Sequence, residues 1–189
     1  VGRPVRLALT RPQMFGPVGG RPRTEQHIVA AARADGALTA LRHDTFANTS
    51  KIEDWTETSG VVTRMLYNVP NLATTHRLVP LNVGTPTFMR APGEATGSFA
   101  LECAMDELAY ALDMDPIELR LKNYAEVSAH EHKPWSSKQL RECYRLGAER
   151  FGWARRPRRP RTMHAGDTLI GVGMATATYP ARRSEASAT

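Results

Sequence analysis

The stretch from Thr87 to Ala109, TFMRAPGEATGSFALECAMDELA, constrains the fold more than any other part of the chain. It places Arg90, a proline and two glycines directly in front of a long apolar run with helical spacing. A helix that is apolar around most of its circumference has to be buried on several sides. The glycines allow a backbone turn that residues with a Cβ adopt poorly. The sequence therefore predicts a buried helix with another group close to its N-terminus.

This helix is predicted to run from Gly97 to Leu112. Its spacing predicts one stripe facing the core and a polar face that carries two acids. The predicted core stripe is Ala100, Ala104, Leu108 and Ala111, and the predicted polar face holds Glu102 and Asp106.

The segment before this helix has the alternation typical of strands. Residues 3–10 alternate apolar and polar side chains, and residues 71–83 are rich in threonine and also alternate. Between them, Ala34-Asp35-Gly36 lies between two apolar runs, which is a strong hairpin signal. A helix over HIVAAARA is the alternative, because alanine favours helices. A short helix is expected before Pro70.

The second half of the chain is predicted to be mainly helical. Asp115 as N-cap, Pro116 at the first helical position and Glu118 predict the start of one helix. Another is predicted from a capping box of Ser136 with Gln139 to a stop at Gly152. A last strand is predicted over residues 167–180. Strands followed by helices and a further strand, without regular βαβ units, predict an α+β fold.

The net charge is +6, from 25 basic and 19 acidic residues, and the positive charges of one segment equal this whole excess. Six arginines, interrupted by prolines, lie between Arg150 and Arg161. They fit a solvated linker, a contact for an acidic partner subunit or a nucleic-acid contact. No nucleic-acid-binding motif supports the last, so no nucleic-acid partner is predicted. No apolar run is long enough to predict a membrane span.

Two loops combine glycines with an arginine, and either could bind an anion. A helix N-terminus has unpaired N–H groups and a partial positive charge, and Arg90 beside it could bind phosphate or carboxylate oxygens. Arg21 lies in the second loop, GPVGGRPR. Surface loops with solvated arginines are the alternative for both. Neither loop has the Walker or dinucleotide-binding pattern.

Other reactive side chains give weaker signals. His130 and His132 lie two apart in HEHK and are expected to be solvated, because further metal ligands are not evident near them. Cys103 and Cys143, without any CxxC motif, are expected to be reduced packing residues.

The order of these motifs resembles the molybdenum-binding subunit of the xanthine dehydrogenase and aldehyde oxidase family. The resemblance covers about residues 3–179 and is most specific in MRAPGEATGSFALE, MDELA and DPIELRLKN. It implies a cytoplasmic oxidoreductase with a molybdenum–molybdopterin cofactor, often the cytosine dinucleotide form. Electrons would leave through [2Fe–2S] clusters and FAD on partner chains.

The resemblance also implies roles for single residues. Arg90, Ala91, Pro92, Gly93 and Gly97 match the family's cofactor loop, and none is expected to ligate the metal directly. Arg21 matches the arginine that steadies negative charge developing on the substrate, a catalytic role. Pro92, as in the bacterial aldehyde-oxidising branch, stands where the family's eukaryotic members have a substrate-stacking aromatic residue, which favours an aldehyde or an N-heterocycle over a purine.

No position matches the family's catalytic glutamate or its glutamine-containing loop. The chain is therefore expected to be part of a longer subunit, inactive alone, with the remaining segments, an Fe–S subunit and an FAD subunit as partners. Residues 1–152 would form the centre of the cofactor-binding domain, 153–166 a linker rich in arginine and proline, and 167–189 the start of the next subdomain. The alternative is a non-catalytic scaffold that docks an acidic partner.

Overall fold

The computed structural model describes residues 2–128 and 130–179, and a three-stranded mixed sheet forms its centre. Strand β1 (Thr24–Ala32) pairs antiparallel with β2 (Leu38–Ser50), which pairs parallel with β3 (Leu72–Leu81). Gly36 in the β1–β2 turn has a φ of 85°, in the region that favours glycine. The predicted hairpin and the strand over residues 71–83 are confirmed.

One long helix and one 3-10 helix pack against this sheet. Helix α1 (Glu94–Ala111) is followed by α2 (Pro116–Lys122) and α3 (Leu140–Phe151), and 3-10 helices span Pro12–Phe15, Ser59–Arg64 and Trp153–Arg155. The core lies between α1, the sheet and the segment from Ser59 to Val69 that links β2 to β3. It is built from Leu38, Leu41, Val62, Leu66, Tyr67, Val69, Leu101, Met105, Ala109 and Leu119. The α+β fold with helices on a mixed sheet is therefore confirmed.

The predicted core stripe of α1 is wrong, because the buried residues lie about one position along the helix from the predicted ones. Gly97, Leu101, Met105 and Ala109 are buried, whereas Ala100, Ala104 and Leu108 are only half-buried and Ala111 is exposed. Apolar residues surround this helix almost completely, so its sequence pattern does not define which stripe packs on the core.

The predicted polar face of α1 is also wrong, because Glu102 is buried. Its Oε2 accepts hydrogen bonds from Arg120 Nε at 2.8 Å and from the Thr176 amide at 2.6 Å, and its Oε1 accepts one from the Tyr67 hydroxyl. Arg120 is fully buried and also pairs with Asp106 at 2.8 Å. A buried carboxylate is tolerated only with such partners.

One predicted helix start is confirmed and the other is wrong. The Asp115 carboxylate accepts a hydrogen bond from the Ile117 amide at 2.8 Å, and Pro116 begins α2. Helix α3 begins at Leu140 after Gln139, which makes no side-chain cap, so the capping box with Ser136 does not form. Gly152 ends α3 with a φ of 79°, as predicted.

The two predicted terminal strands do not form within the described residues. Residues 3–10 are irregular, and Leu7 is 81% exposed. From residue 167 onwards only β5 (Thr168–Leu169) is a strand, and it pairs with β4 (His164–Ala165); Pro180 and the residues after it lie outside the described part. Alternation predicts a strand only where a second strand is present to pair with it.

Three further features correct or extend the predictions. Cys103 and Cys143 are free, as expected, but both are exposed and not packing residues. In the arginine-rich segment, the Arg156 guanidinium lies 3.5 Å from the centre of the buried Trp153 ring and 2.9 Å from Asp115 Oδ2, while its neighbouring arginines are exposed. No helix of the described residues is long and apolar enough to span a membrane.

Candidate functional site

The structure brings the two predicted arginine loops together at the N-terminus of α1. The Arg21 guanidinium donates from Nη2 to the Arg90 carbonyl at 2.5 Å and from Nη1 to the Ala91 carbonyl at 3.3 Å. The backbones also join, because the Thr87 amide donates to the Gly20 carbonyl at 3.0 Å. Gly19 permits this approach, since a Cβ there would lie 2.7 Å from the Thr85 carbonyl oxygen.

Glu57 connects these loops, and sequence reasoning missed it. Its side chain is fully buried, and its Oε1 accepts hydrogen bonds from Arg21 Nη1 at 2.5 Å and from the Gly93 amide at 2.9 Å. Its Oε2 is buried and has no hydrogen-bond partner among the described residues. Glu57 lies in the polar stretch EDWTETSG, where the sequence does not distinguish a buried acid from a solvated one.

The loop from Arg90 to Gly93 has an unusual backbone. Ala91 has a φ of 55° and Gly93 a φ of 88°, both in the left-handed region that L-residues with a Cβ rarely adopt. This conformation turns the carbonyls of Arg90 and Ala91 towards Arg21. The Arg90 side chain is exposed, and its guanidinium makes no hydrogen bond or ion pair within the part of the chain that the structure describes.

The two glycines are explained by internal packing and not by an outside group at the helix N-terminus, which the sequence predicted. A Cβ on Gly93 would lie 2.5 Å from Thr58 Oγ1, and one on Gly97 would lie 1.9 Å from the Ser59 carbonyl oxygen. The Gly93 amide donates to Glu57, and the Gly97 amide donates to the Gly93 carbonyl at 2.8 Å. These two amides are thus not open to an outside anion, and a cofactor-binding role for the glycines stays a prediction.

A pocket of about 460 Å³ lies beside the first turns of α1. Its lining comes from the start of β1 and from α1 and includes Arg21, Thr24, Gln26, Ala95, Thr96 and Phe99. The size falls within the range of ordinary ligand pockets. Its wall combines apolar side chains with the Arg21 guanidinium, two threonines and the Gln26 amide, which suits a ligand with both apolar and polar parts.

A buried histidine, His43, contacts Gln26 in the wall of this pocket. The Gln26 amide donates from Nε2 to the Thr96 carbonyl at 3.2 Å, and its Oε1 lies 2.9 Å from His43 Nε2. His43 Nδ1 lies 2.7 Å from the Thr63 hydroxyl. Burial, with a smaller effect of His76, lowers the pKa of His43 to about 4. The ring is therefore neutral at pH 7 and holds Gln26 in place.

The remaining candidates do not join this site. A larger pocket of about 820 Å³ near Trp135 and Lys138 contains none of the predicted site residues. His130 and His132 are exposed, and no group of three metal-ligating side chains occurs among the described residues.

Comparisons with known proteins find similar sequences and structures. The model of the molybdopterin cofactor-binding domain matches residues 1–124. The aldehyde oxidoreductase molybdenum-binding subunit PaoC of Escherichia coli (strain K12) is 38% identical over 177 residues, which are 93% of this chain and 24% of PaoC. The chain thus spans about a quarter of that curated relative.

Solved structures show the same fold. The aldehyde oxidoreductase from Desulfovibrio gigas matches with a TM-score of 0.60 at 27% identity, over 72% of this chain and 16% of the other. Quinoline 2-oxidoreductase from Pseudomonas putida 86 matches with a TM-score of 0.71 at 21% identity, over 81% of this chain and 21% of the other.

Proposed function

Because the chain belongs to the molybdopterin cofactor-binding domain family, we propose that it is part of a molybdenum hydroxylase that oxidises an aldehyde or an N-heterocycle. For an aldehyde, water supplies the added oxygen, and the products are a carboxylic acid, two protons and two electrons. The molybdenum–molybdopterin group, in its plain or cytosine dinucleotide form, supplies the redox chemistry when bound. The similarity to PaoC, a subunit of an aldehyde oxidoreductase, favours the aldehyde.

The observation that carries this proposal is the meeting of both arginine loops at the N-terminus of α1, within the residues that match the family. The exposed Arg90 guanidinium and the neighbouring pocket fit an anionic group that also forms hydrogen bonds. The start of α1 adds little to this attraction, because the Glu57 carboxylate already accepts the hydrogen bond of the Gly93 amide. The site thus fits the cofactor that the family binds.

Within the site, Arg90 would bind an anionic part of the cofactor through its guanidinium. Ala91 and Pro92 would place their backbone against the cofactor. Gly93 and Gly97 would act indirectly, because they let α1 approach the 3-10 helix at Ser59 closely enough to fix the loop. The role of Arg21 towards the substrate stays a prediction, and its hydrogen bonds to the loop support a second role, argued below.

The complete enzyme would need further parts. The catalytic glutamate would come from another segment of the large subunit, and Fe–S and FAD subunits would take the electrons onward in the cytoplasm. The relatives' greater length supports this division, since the chain covers 24% of PaoC.

The test is the molybdenum and pterin content of the whole protein, purified with the chains that accompany it. We expect molybdenum in the wild type and about tenfold weaker retention in Arg90→Ala, because one charge-assisted contact is lost. Arg158→Ala, which removes an exposed arginine elsewhere, is the control and should keep wild-type content. A wild-type complex without molybdopterin would refute the proposal.

A scaffold that docks an acidic partner is the second candidate. It is favoured by the exposed arginines of the 153–166 segment, Arg155, Arg158, Arg159 and Arg161. Replacing these four by serine would then weaken assembly while leaving the molybdenum content of the purified large subunit unchanged. Assembly equal to that of the wild type would exclude this role.

A further inference from the structure

We infer that Glu57 is a positioning residue that fixes the cofactor loop in the shape needed for loading, an inference that rests on the proposed function. Glu57 acts through Arg21, the Gly93 amide and the carbonyls of Arg90 and Ala91, a group that we call the Glu57 clamp. Neither the family resemblance nor the sequence patterns assigned a role to Glu57.

The clamp joins three segments that are far apart in sequence. Glu57 precedes the 3-10 helix at Ser59, Arg21 precedes β1, and Gly93 precedes α1. A single carboxylate oxygen accepts from both Arg21 and Gly93, and the same Arg21 nitrogen also reaches the Ala91 carbonyl. Removing the carboxylate charge therefore weakens contacts to all three segments.

The loop needs such a restraint because its backbone is unfavourable. Ala91 adopts a φ of 55°, which an alanine rarely does unless its surroundings impose it. The peptide units on either side of Ala91 contain the Arg90 and Ala91 carbonyls. Arg21 donates a hydrogen bond to each of these carbonyls. Without the clamp, the loop would relax towards ordinary backbone conformations, and the Arg90 side chain would move with it.

A comparison with Glu102 indicates that Glu57 is not placed for stability alone. Both acids are buried and paired with an arginine, but both oxygens of Glu102 accept hydrogen bonds. Glu57 Oε2 has no hydrogen-bond partner among the described residues. A buried acceptor without a partner is unfavourable, so the hydrogen bonds that hold Glu57 in place are those of its other oxygen to Arg21 and Gly93.

The experiment compares Glu57→Gln with Glu102→Gln in the full-length protein. Both changes remove a buried charge beside an arginine, but only the first touches the loop. Trypsin can cleave after Arg90, which is exposed, and after Arg120, which is fully buried and open only when the core unfolds. The ratio of the two cleavage rates is measured by mass spectrometry on protein freed of its cofactor, because a bound cofactor would itself cover Arg90. This ratio separates loosening of the loop from unfolding of the whole domain.

We expect Glu57→Gln to raise cleavage after Arg90 about tenfold relative to Arg120, since one charge-assisted hydrogen bond is lost. Its molybdenum content should fall, whereas Glu102→Gln should lower the melting temperature without changing the cleavage ratio or the molybdenum per folded chain. Arg21→Lys is the second variant, because one ammonium cannot reach Glu57 and both carbonyls; it should give a smaller change in the same direction.

Each outcome decides the inference. A cleavage ratio or a molybdenum content in Glu57→Gln equal to that of the wild type would overturn it, provided that the wild type carries the metal. If Glu57→Gln does not fold, the same two readouts on Arg21→Lys decide. A wild-type protein that lacks molybdenum would instead overturn the proposed function, and the cleavage ratio would still show whether the clamp holds the loop.

Discussion

The buried histidine beneath the pocket gives a prediction about pH. His43 is fully buried, and burial lowers its pKa from 6.5 to about 4, with His76 adding to the shift and Asp44 opposing it. The unfolded chain therefore binds a proton between pH 6.5 and pH 4 that the folded chain does not bind. The stability contributed by neutral His43 is complete above pH 6.5 and is lost as the pH falls towards 4.

The size of this effect follows from the two pKa values. As the pH falls from 8 to 5, protonation of this histidine stabilises the unfolded chain only below pH 6.5, that is, over about 1.5 pH units. At 1.36 kcal/mol per unit, this stabilises the unfolded chain by roughly 2 kcal/mol. Partial protonation of the folded state subtracts little at pH 5, because this is about one unit above the pKa of His43. The wild type should therefore lose about 2 kcal/mol that a variant without His43 does not lose.

Urea unfolding at pH 8, 7, 6 and 5 measures this difference for the wild type and His43→Gln. The change in free energy with pH is compared, not the absolute stability, because the substitution also alters the contacts to Gln26 and Thr63. His76, whose pKa burial also lowers, is common to both proteins and cancels. His130→Gln, at an exposed position, is the control and should follow the wild-type curve. Parallel curves for the wild type and His43→Gln would refute the reasoning.

Two further predictions concern buried charge and close packing. Arg120→Met should lower the free energy of unfolding by about 3–5 kcal/mol, because it leaves Glu102 buried without its arginine. Arg145→Met removes an arginine from an exposed pair and should leave the urea midpoint close to that of the wild type. Gly97→Ala should destabilise by about 1–3 kcal/mol, because the added Cβ meets the Ser59 carbonyl. Gly147→Ala is the matched helix position with open space around it, and it should stabilise by roughly 1 kcal/mol. Equal effects of the two alanine substitutions in thermal unfolding would show that the close approach at Gly97 is not rigid.

Local signals in the sequence were sufficient where one short segment determines the structure. The turn at Gly36 and the start of α2 at Asp115 depend on residues within a few positions, so both could be predicted. The strand expected at residues 3–10 depends on a partner strand, which alternation cannot supply. The stripe of α1 depends on what packs against it, because nearly every face of that helix is apolar.

Buried acids were beyond prediction for a related reason. Glu57 and Glu102 become buried only because an arginine from a distant part of the chain lies beside each one. The neighbours of Glu57 in sequence are polar, and those of Glu102 are mainly apolar, so neither neighbourhood identifies a buried acid. A carboxylate's burial is decided by its partner, and partners separated by 36 residues, as Glu57 and Arg21 are, leave no local pattern.

The glycines before α1 show that a pattern can indicate a close approach without showing from which side it comes. The sequence suggested that Gly93 and Gly97 open the backbone to an external anion, whereas the 3-10 helix at Ser59 and the Glu57 carboxylate fill that space from within. The Glu57 carboxylate already accepts a hydrogen bond from the Gly93 amide at the positive end of α1. This helix N-terminus therefore attracts a bound anion less than a helix N-terminus without a carboxylate would. It follows that binding of an anionic cofactor would depend mainly on the Arg90 guanidinium, and that the clamp matters because it decides where that guanidinium points.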